Sequence, residues 1–190
     1  AWTIAFVFLS LHFAISTCCL IVFGYVRSYP IYRTFRFVMW MLFSPVEVSY
    51  HPDFQHDQPY VLVQNHINLL DAFIVAAVSK NPLCGLMHSW QFRIPFYGWI
   101  MRLSKGIAVD PSRRDNLEQM NLQARQRKEK GISILTFPEG GRTRTQEMKP
   151  MKKGAFVMAR QAGYQIVPVA VAGNHFINQN ANYQLPIKEI

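Results

Sequence analysis

Two short polar clusters carry the residue types that could do chemistry in this chain. The first is Asn65-His66-Ile67-Asn68-Leu69-Leu70-Asp71, which sets a histidine five residues before an aspartate where one apolar run ends and another begins. A neutral imidazole can take a proton from an alcohol, and a carboxylate on its other ring nitrogen fixes the tautomer and stabilises the cation that forms. The second cluster is Phe137-Pro138-Glu139-Gly140-Gly141-Arg142-Thr143-Arg144, also just after a strand-like run. Its Gly140-Gly141 pair lets the backbone turn sharply and present amides to an anion. Arg142 and Arg144 add planar donors suited to a phosphate. Glu139 is costly to bury unpaired, so it should meet an arginine, a substrate hydroxyl or solvent.

Geometry limits how the first pair can act. Five residues along an α-helix is about 500°, which would leave His66 and Asp71 about 140° apart. They meet only if His66 lies in the loop before the helix and folds back over its first turn. Asn68 suits that arrangement, because asparagine is a strong N-cap and Asp71 then falls at the third helical position. A purely structural reading stands beside it, with Asp71 completing a capping box and His66 an ordinary loop histidine. The second cluster likewise reads as a polar turn with a surface glutamate. Two such clusters, each at the end of a strand-like run, favour chemistry over either bland reading alone.

The elements that must position these residues show as an alternation from residue 58 onward. Short β-like runs fall at 60–64, 83–87, 106–109, 132–136 and 166–171, with helical patterns at 68–80, 92–104, 114–130 and 152–162 between them. The third helical pattern has Asp115 near its start and stops at Gly131. Strands separated by helices predict an α/β fold with a mixed central sheet flanked by helices, and in such folds functional residues gather in loops at the strand ends. At 190 residues the chain is long enough for one domain with an ordinary core.

Residues 1–26 contain no Asp, Glu, Lys or Arg. As a helix they would reach about 39 Å, enough to cross a hydrocarbon core of about 30 Å with some tilt. A signal peptide fits less well, since the apolar run is too long and lacks a basic leader. Arg27, Arg33 and Arg36 follow at once, which favours the cytoplasmic side for everything after them. Residues 31–43 mix Arg33 and Arg36 with Tyr32, Phe35, Phe37 and Trp40, the pattern of a helix lying in the membrane interface, with a core helix as the alternative. Residues 1–48 are thus expected to anchor the chain to a membrane, and residues 49–59 to join that anchor to a domain over 58–190. The net charge of +9 fits an anionic lipid surface or a phosphorylated substrate. No nucleic-acid motif accompanies it, and the basic run at 121–130 reads as a solvated helix face. The three cysteines, Cys18, Cys19 and Cys84, lie in apolar runs and suggest no disulfide framework. No zinc-like spacing is present, so no metal site is expected.

The motifs together resemble those of the glycerolipid acyltransferases, of the 1-acylglycerol-3-phosphate acyltransferase type. Four ordered blocks carry the resemblance, which covers about residues 58–173. The first is the histidine-x4-aspartate block, residues 65–71. The second is Gly106-Ile107-Ala108-Val109-Asp110, preceded by the family-like Ile94-Pro95-Phe96-Tyr97-Gly98-Trp99. The third is Phe137 to Arg142, followed by Lys152-Lys153-Gly154-Ala155-Phe156, and the fourth is Ile166-Val167-Pro168-Val169-Ala170-Val171. Two departures stand out. Pro111 follows Asp110 where the family has an arginine that helps to hold the acceptor phosphate, with Arg113 and Arg114 two and three residues further on. Gly141 stands where threonine is common. The chain stops at Ile190, where relatives usually continue, so a domain cut short at its C-terminal side is expected.

The resemblance implies a mechanism and a set of roles. His66 removes a proton from a glycerol hydroxyl as that oxygen attacks an acyl thioester, and Asp71 orients His66 and stabilises its cation. Asn65, Asp110, Arg113, Arg114, Glu139, Gly140, Gly141, Arg142 and Pro168 are implied to serve the substrate, with Arg142, and Arg113 or Arg114, on the acceptor phosphate. No metal or redox cofactor is implied. The donor would be an acyl-coenzyme A or an acyl-carrier protein, the acceptor a lysophospholipid and the surroundings a lipid bilayer. Because of Pro111, glycerol 3-phosphate or another lysolipid stays open as acceptor. A non-catalytic lipid-binding protein on the same fold is the alternative from a different class.

Overall fold

The computed structural model of the protein describes residues 46–67, 71–143 and 147–173, together with Cys18, Ile21, Val22 and Arg36, which are helical. The expected membrane helix over 1–26, most of the interfacial segment 31–43, Asn68, Arg144 and the chain after residue 173 lie outside these residues. No helix among the described residues is long and apolar enough to cross a membrane.

Five strands form one sheet: β1 (Tyr60–Gln64), β2 (Leu83–His88), β3 (Ile107–Val109), β4 (Ser133–Thr136) and β5 (Gln165–Val169), in the order β3-β2-β4-β1-β5. Every pairing is parallel. The expectation of a mixed sheet is corrected by that result. Its reason is that consecutive described strands are joined by helical crossovers, never by a tight hairpin, so each must start again from the same end. The two central strands, β1 and β4, are buried along their whole length, which explains why they read as unbroken apolar runs.

The crossovers are α1 (Asp71–Val78), a 3₁₀ turn (Ser89–Arg93) with α2 (Tyr97–Leu103), α3 (Asn116–Glu129) and α4 (Gly154–Gln161). The pattern over 92–104 predicted one helix, but the chain breaks it in two. Pro95 forces the preceding Ile94 into an extended conformation, φ −67° and ψ 123°, and lacks the amide a continuous helix would use. α3 is mostly polar and buries Met120 and Ala124, four residues apart, against the core, while Leu117 and Leu122 stay exposed. It ends where Gly131 takes φ 67°, with Ile132 N–H bonded to Arg127 O at 2.9 Å and Gly131 N–H to Lys128 O at 2.9 Å. That paired closure suits a glycine, and α4 ends the same way at Gly163. α2 uses it too, but with Lys105 at φ 62°, a conformation that strains a residue with a Cβ.

The core runs along the sheet through Val61, Ile107, Ile132 and Ile134, against Ala124 of α3 and Met158 of α4, all fully buried. α1 contributes Val75 to it, and packs Ile74 and Ala77 with Val46 and Val171. Removing one such side chain, as in Ile134→Ala, should destabilise the fold by about 2–5 kcal/mol. The parallel register also aligns the C-terminal strand ends: Val63 sits beside Thr136, and Gln64 beside Val169. The loops that carry both polar clusters therefore leave neighbouring strands at one edge of the sheet.

Candidate active site

His66 follows β1 by two residues, and its ring folds back over the start of α1. Nδ1 lies 2.8 Å from Asp71 Oδ2, and Ile67 N–H donates to the same oxygen at 2.6 Å. This is the fold-back geometry that the five-residue spacing required. Asp71 is 0% exposed and the His66 side chain 20% exposed, so the carboxylate is sealed beneath the ring. A carboxylate can only accept, so Nδ1 carries the proton and Nε2 the lone pair. No described residue bonds to Nε2. The imidazole stacks on Phe137, with centroids 4.0 Å apart and planes 18° apart, which holds it in one orientation.

The second cluster braces the first. Glu139 is buried after β4, and its two oxygens are divided between two backbone amides. His66 N–H donates to Oε1 at 2.8 Å and Lys149 N–H to Oε2 at 2.9 Å. One buried carboxylate thus ties the histidine loop to the chain beyond the glycine turn, and among the described residues its partners are backbone amides rather than an arginine. Thr143 N–H returns to His66 O at 2.9 Å, which closes the link. Asn65 does comparable work on the other side. Its Nδ2 donates to Val171 O and its Oδ1 accepts from Val171 N–H, both at 2.9 Å, so its side chain continues the β1–β5 ladder past the last strand residue.

Gly140 turns at φ 70° and donates to Phe137 O at 3.0 Å. The Lys152 ammonium rests where a Cβ would be, 2.5 Å from that position, so any side chain there would displace it. Lys149 Nζ bonds to Arg142 O at 2.5 Å and to Gly141 O at 3.5 Å. Arg142 is exposed, and its guanidinium has no partner among the described residues. Three cations, Arg142, Lys149 and Lys152, therefore gather on one glycine turn beside His66.

The remaining predicted residues lie elsewhere along the same edge. Asp110 follows β3, three strand spacings or about 14 Å from the end of β1. The Ser112 hydroxyl, at 2.5 Å, holds its carboxyl below the usual range, and its own N–H is taken by Asn116 Oδ1 at 2.7 Å. Arg113 forks onto Asp115 through Nε at 2.9 Å and Nη2 at 2.6 Å, which lowers the Asp115 carboxyl and raises the Arg113 guanidinium. Arg114 is exposed without a side-chain partner among the described residues. Pro168 sits in β5 opposite Val63, on an edge strand of the described sheet, the place in a sheet where a residue without an N–H is tolerated. Phe137, Lys149 and Lys152 were not singled out as site residues from sequence. Phe137 opens the third block and Lys152 the segment that follows it, but neither position in the sequence says what the side chain touches.

A parallel α/β sheet carries a carboxylate-backed histidine and a cationic turn at one edge, an arrangement suited to general-base chemistry on an anionic substrate. The model of the Acyltransferase family matches residues 45–172. A 1-acyl-sn-glycerol-3-phosphate acyltransferase of Saccharomyces cerevisiae is 35% identical over 119 residues, covering 60% of this chain and 39% of the relative. An uncharacterized acyltransferase of Schizosaccharomyces pombe is 38% identical over 117 residues, 58% of this chain and 41% of the relative. The crystal structure of the 1-acyl-sn-glycerophosphate acyltransferase PlsC of Thermotoga maritima shares the fold with a TM-score of 0.68 at 20% identity, over 97% of this chain and 81% of that one. The chain belongs to the Acyltransferase family. It spans about two fifths of the length of these curated relatives.

Proposed function

We propose that the chain is the catalytic part of a membrane-bound O-acyltransferase that moves a fatty acyl group from a thioester to the free sn-2 hydroxyl of 1-acyl-sn-glycerol 3-phosphate, giving phosphatidic acid. The observation that carries this reading is the His66 Nδ1–Asp71 contact with Nε2 left open. Nε2 takes the hydroxyl proton as the oxygen attacks the thioester carbonyl. The tetrahedral oxyanion then collapses, the C–S bond breaks and the departing sulfur takes the proton from the imidazolium. Products are the ester and the free thiol. The buried Asp71 carboxylate stabilises the cation between these two transfers. The backbone amides of Gly141 and Arg142, which no described residue engages, are suited to an anionic oxygen, and Arg142 to the acceptor phosphate.

Relatives carrying the lysophosphatidic acid acyltransferase name support the acceptor, and the basic edge supports an anionic one. The chemistry needs no metal or redox group, because the thioester supplies the driving force. The apolar residues 1–26 would hold the domain at a membrane, with Arg27, Arg33 and Arg36 marking the cytoplasmic side. One observation favours a second reading of the acceptor. Pro111 replaces the usual arginine, and Arg113 is already committed to Asp115. An acceptor panel decides: palmitoyl-coenzyme A with 1-acylglycerol 3-phosphate, glycerol 3-phosphate or lysophosphatidylcholine. Transfer to 1-acylglycerol 3-phosphate well above the others is expected, and preference for either rival would replace the proposed acceptor.

A further inference from the structure

The 3₁₀ turn and α2 form a compact hairpin whose apolar surface the described fold leaves uncovered. Phe96 is 72% exposed, Trp99 58% and Trp90 53%, with Ile94 and Tyr97 also open. Phe96 and Trp99 pack edge to face with centroids 5.2 Å apart, so these two exposed rings form one body. Phe96 holds φ 60° and ψ −57°, a conformation rarely tolerated by a residue with a Cβ, and it is the most exposed ring of the group. The hairpin is rigid underneath. Phe92 is buried, and a Cβ on Gly98 would strike the Phe92 carbonyl, so the two halves are closed tightly together.

Charge selects the occupant. Between His88 and Lys105 there is no Asp or Glu, while the exposed Arg93, Arg102 and Lys105 supply cations on the same segment. Exposed Trp, Tyr and Phe alongside arginine and lysine match the boundary between headgroups and acyl chains of an anionic bilayer. Position agrees. β2 runs past the end of β4 to His88, so the hairpin rises from the same sheet edge as His66 and Glu139, one strand spacing from β4.

We propose that this hairpin is a second membrane-contacting element, which inserts Phe96, Trp99 and Trp90 into an anionic lipid surface and turns the histidine edge of the sheet towards the lipid. The inference deepens the acyltransferase reading by giving a lipid substrate a way from bilayer to base, but its evidence is separate from that reading. The test uses the full chain carrying Trp2→Phe and Trp40→Phe, so that Trp90 and Trp99 alone report. It is reconstituted in vesicles of phosphatidylcholine and phosphatidylglycerol, with or without bromine on the acyl chains. The expected result is loss of emission with the brominated lipid, shielding from aqueous iodide, and reversal of both by Phe96→Ser. Emission that bromine leaves intact and iodide quenches would overturn the proposal. Shielding from iodide without bromine quenching would place protein, such as a second copy, on the patch and would overturn it equally. Acyl transfer measured on the same vesicles keeps the two readings apart, since turnover without bromine quenching removes the hairpin alone.

Discussion

Replacing Asp71 by asparagine separates the charge of the buried carboxylate from its shape. Oδ2 receives both His66 Nδ1–H and Ile67 N–H, and the side chain is completely enclosed. An asparagine oxygen in the same place can still accept both bonds, so the loop should keep its path. What disappears is the negative charge facing the imidazolium. With charge centres about 4 Å apart and an effective dielectric of about 20, that attraction is about 4 kcal/mol. A neutral hydrogen bond retains about 1 kcal/mol of it. The net loss of about 3 kcal/mol corresponds to about two hundred-fold in rate. Should the amide instead turn its NH2 towards the ring, Nδ1 becomes the acceptor and Nε2 the protonated nitrogen, which removes the base. The same replacement in a Ser-His-Asp triad costs about 10⁴. The expected fall in kcat/KM is therefore between about 10² and 10⁴. Thiol release from palmitoyl-coenzyme A would measure the rate, and thermal unfolding would check the fold. A variant that folds normally and turns over within ten-fold of the wild type would refute the carboxylate-backed base.

Three other outcomes are expected. Glu139→Gln leaves one oxygen where two amides need an acceptor, so stability should fall by about 1–3 kcal/mol. In that variant kcat should drop with KM nearly constant, and an unchanged kcat would show that the brace does not position His66. Lys105→Gly relieves a left-handed residue at a cost of about 1–2 kcal/mol, partly offset by about 0.5–1 kcal/mol of glycine entropy. The net gain of about 0.5–1 kcal/mol should raise the melting temperature by about 1–4 °C for a chain of this size, and a fall would show that Lys105 is not strained. Burial pushes the Cys84 thiol up to about 12, so at pH 8 it stays neutral and iodoacetamide should leave it unmodified in the native protein and alkylate it in urea. Native alkylation, read by peptide mass mapping, would mean that the β2 core opens readily.

Much of the scaffold was legible because a parallel sheet writes itself plainly. Strands buried on both faces become unbroken apolar runs, and β1 (Tyr60–Gln64) falls on the predicted residues while β2 and β4 differ by a residue at one end. The break at Ile94 was written in Pro95, but apolar periodicity outweighed it. Strand direction was less visible, since periodicity says which residues are extended and not which end begins. The His66–Asp71 contact could be foreseen because it is local. The uses of Glu139 and Asn65 could not. His66 lies 73 residues from Glu139 and Val171 106 residues from Asn65, and only the register of β1 against β4 and β5 brings them within reach. Phe137 under the imidazole depends on the same register, whereas Lys152 meets Gly140 within the connection from β4 to α4. Arg113 was assigned to the substrate by its place after Asp110, and its fork onto Asp115 appears only once the turn before α3 is built.

The most direct test of the account is acyl transfer from labelled palmitoyl-coenzyme A to 1-acylglycerol 3-phosphate, with wild type and His66→Ala compared at matched folded concentration. Labelled phosphatidic acid is expected from the wild type and none above background from the variant, with both showing the same cooperative unfolding. Equal transfer by the two folded proteins would contradict the assignment of His66 as the base.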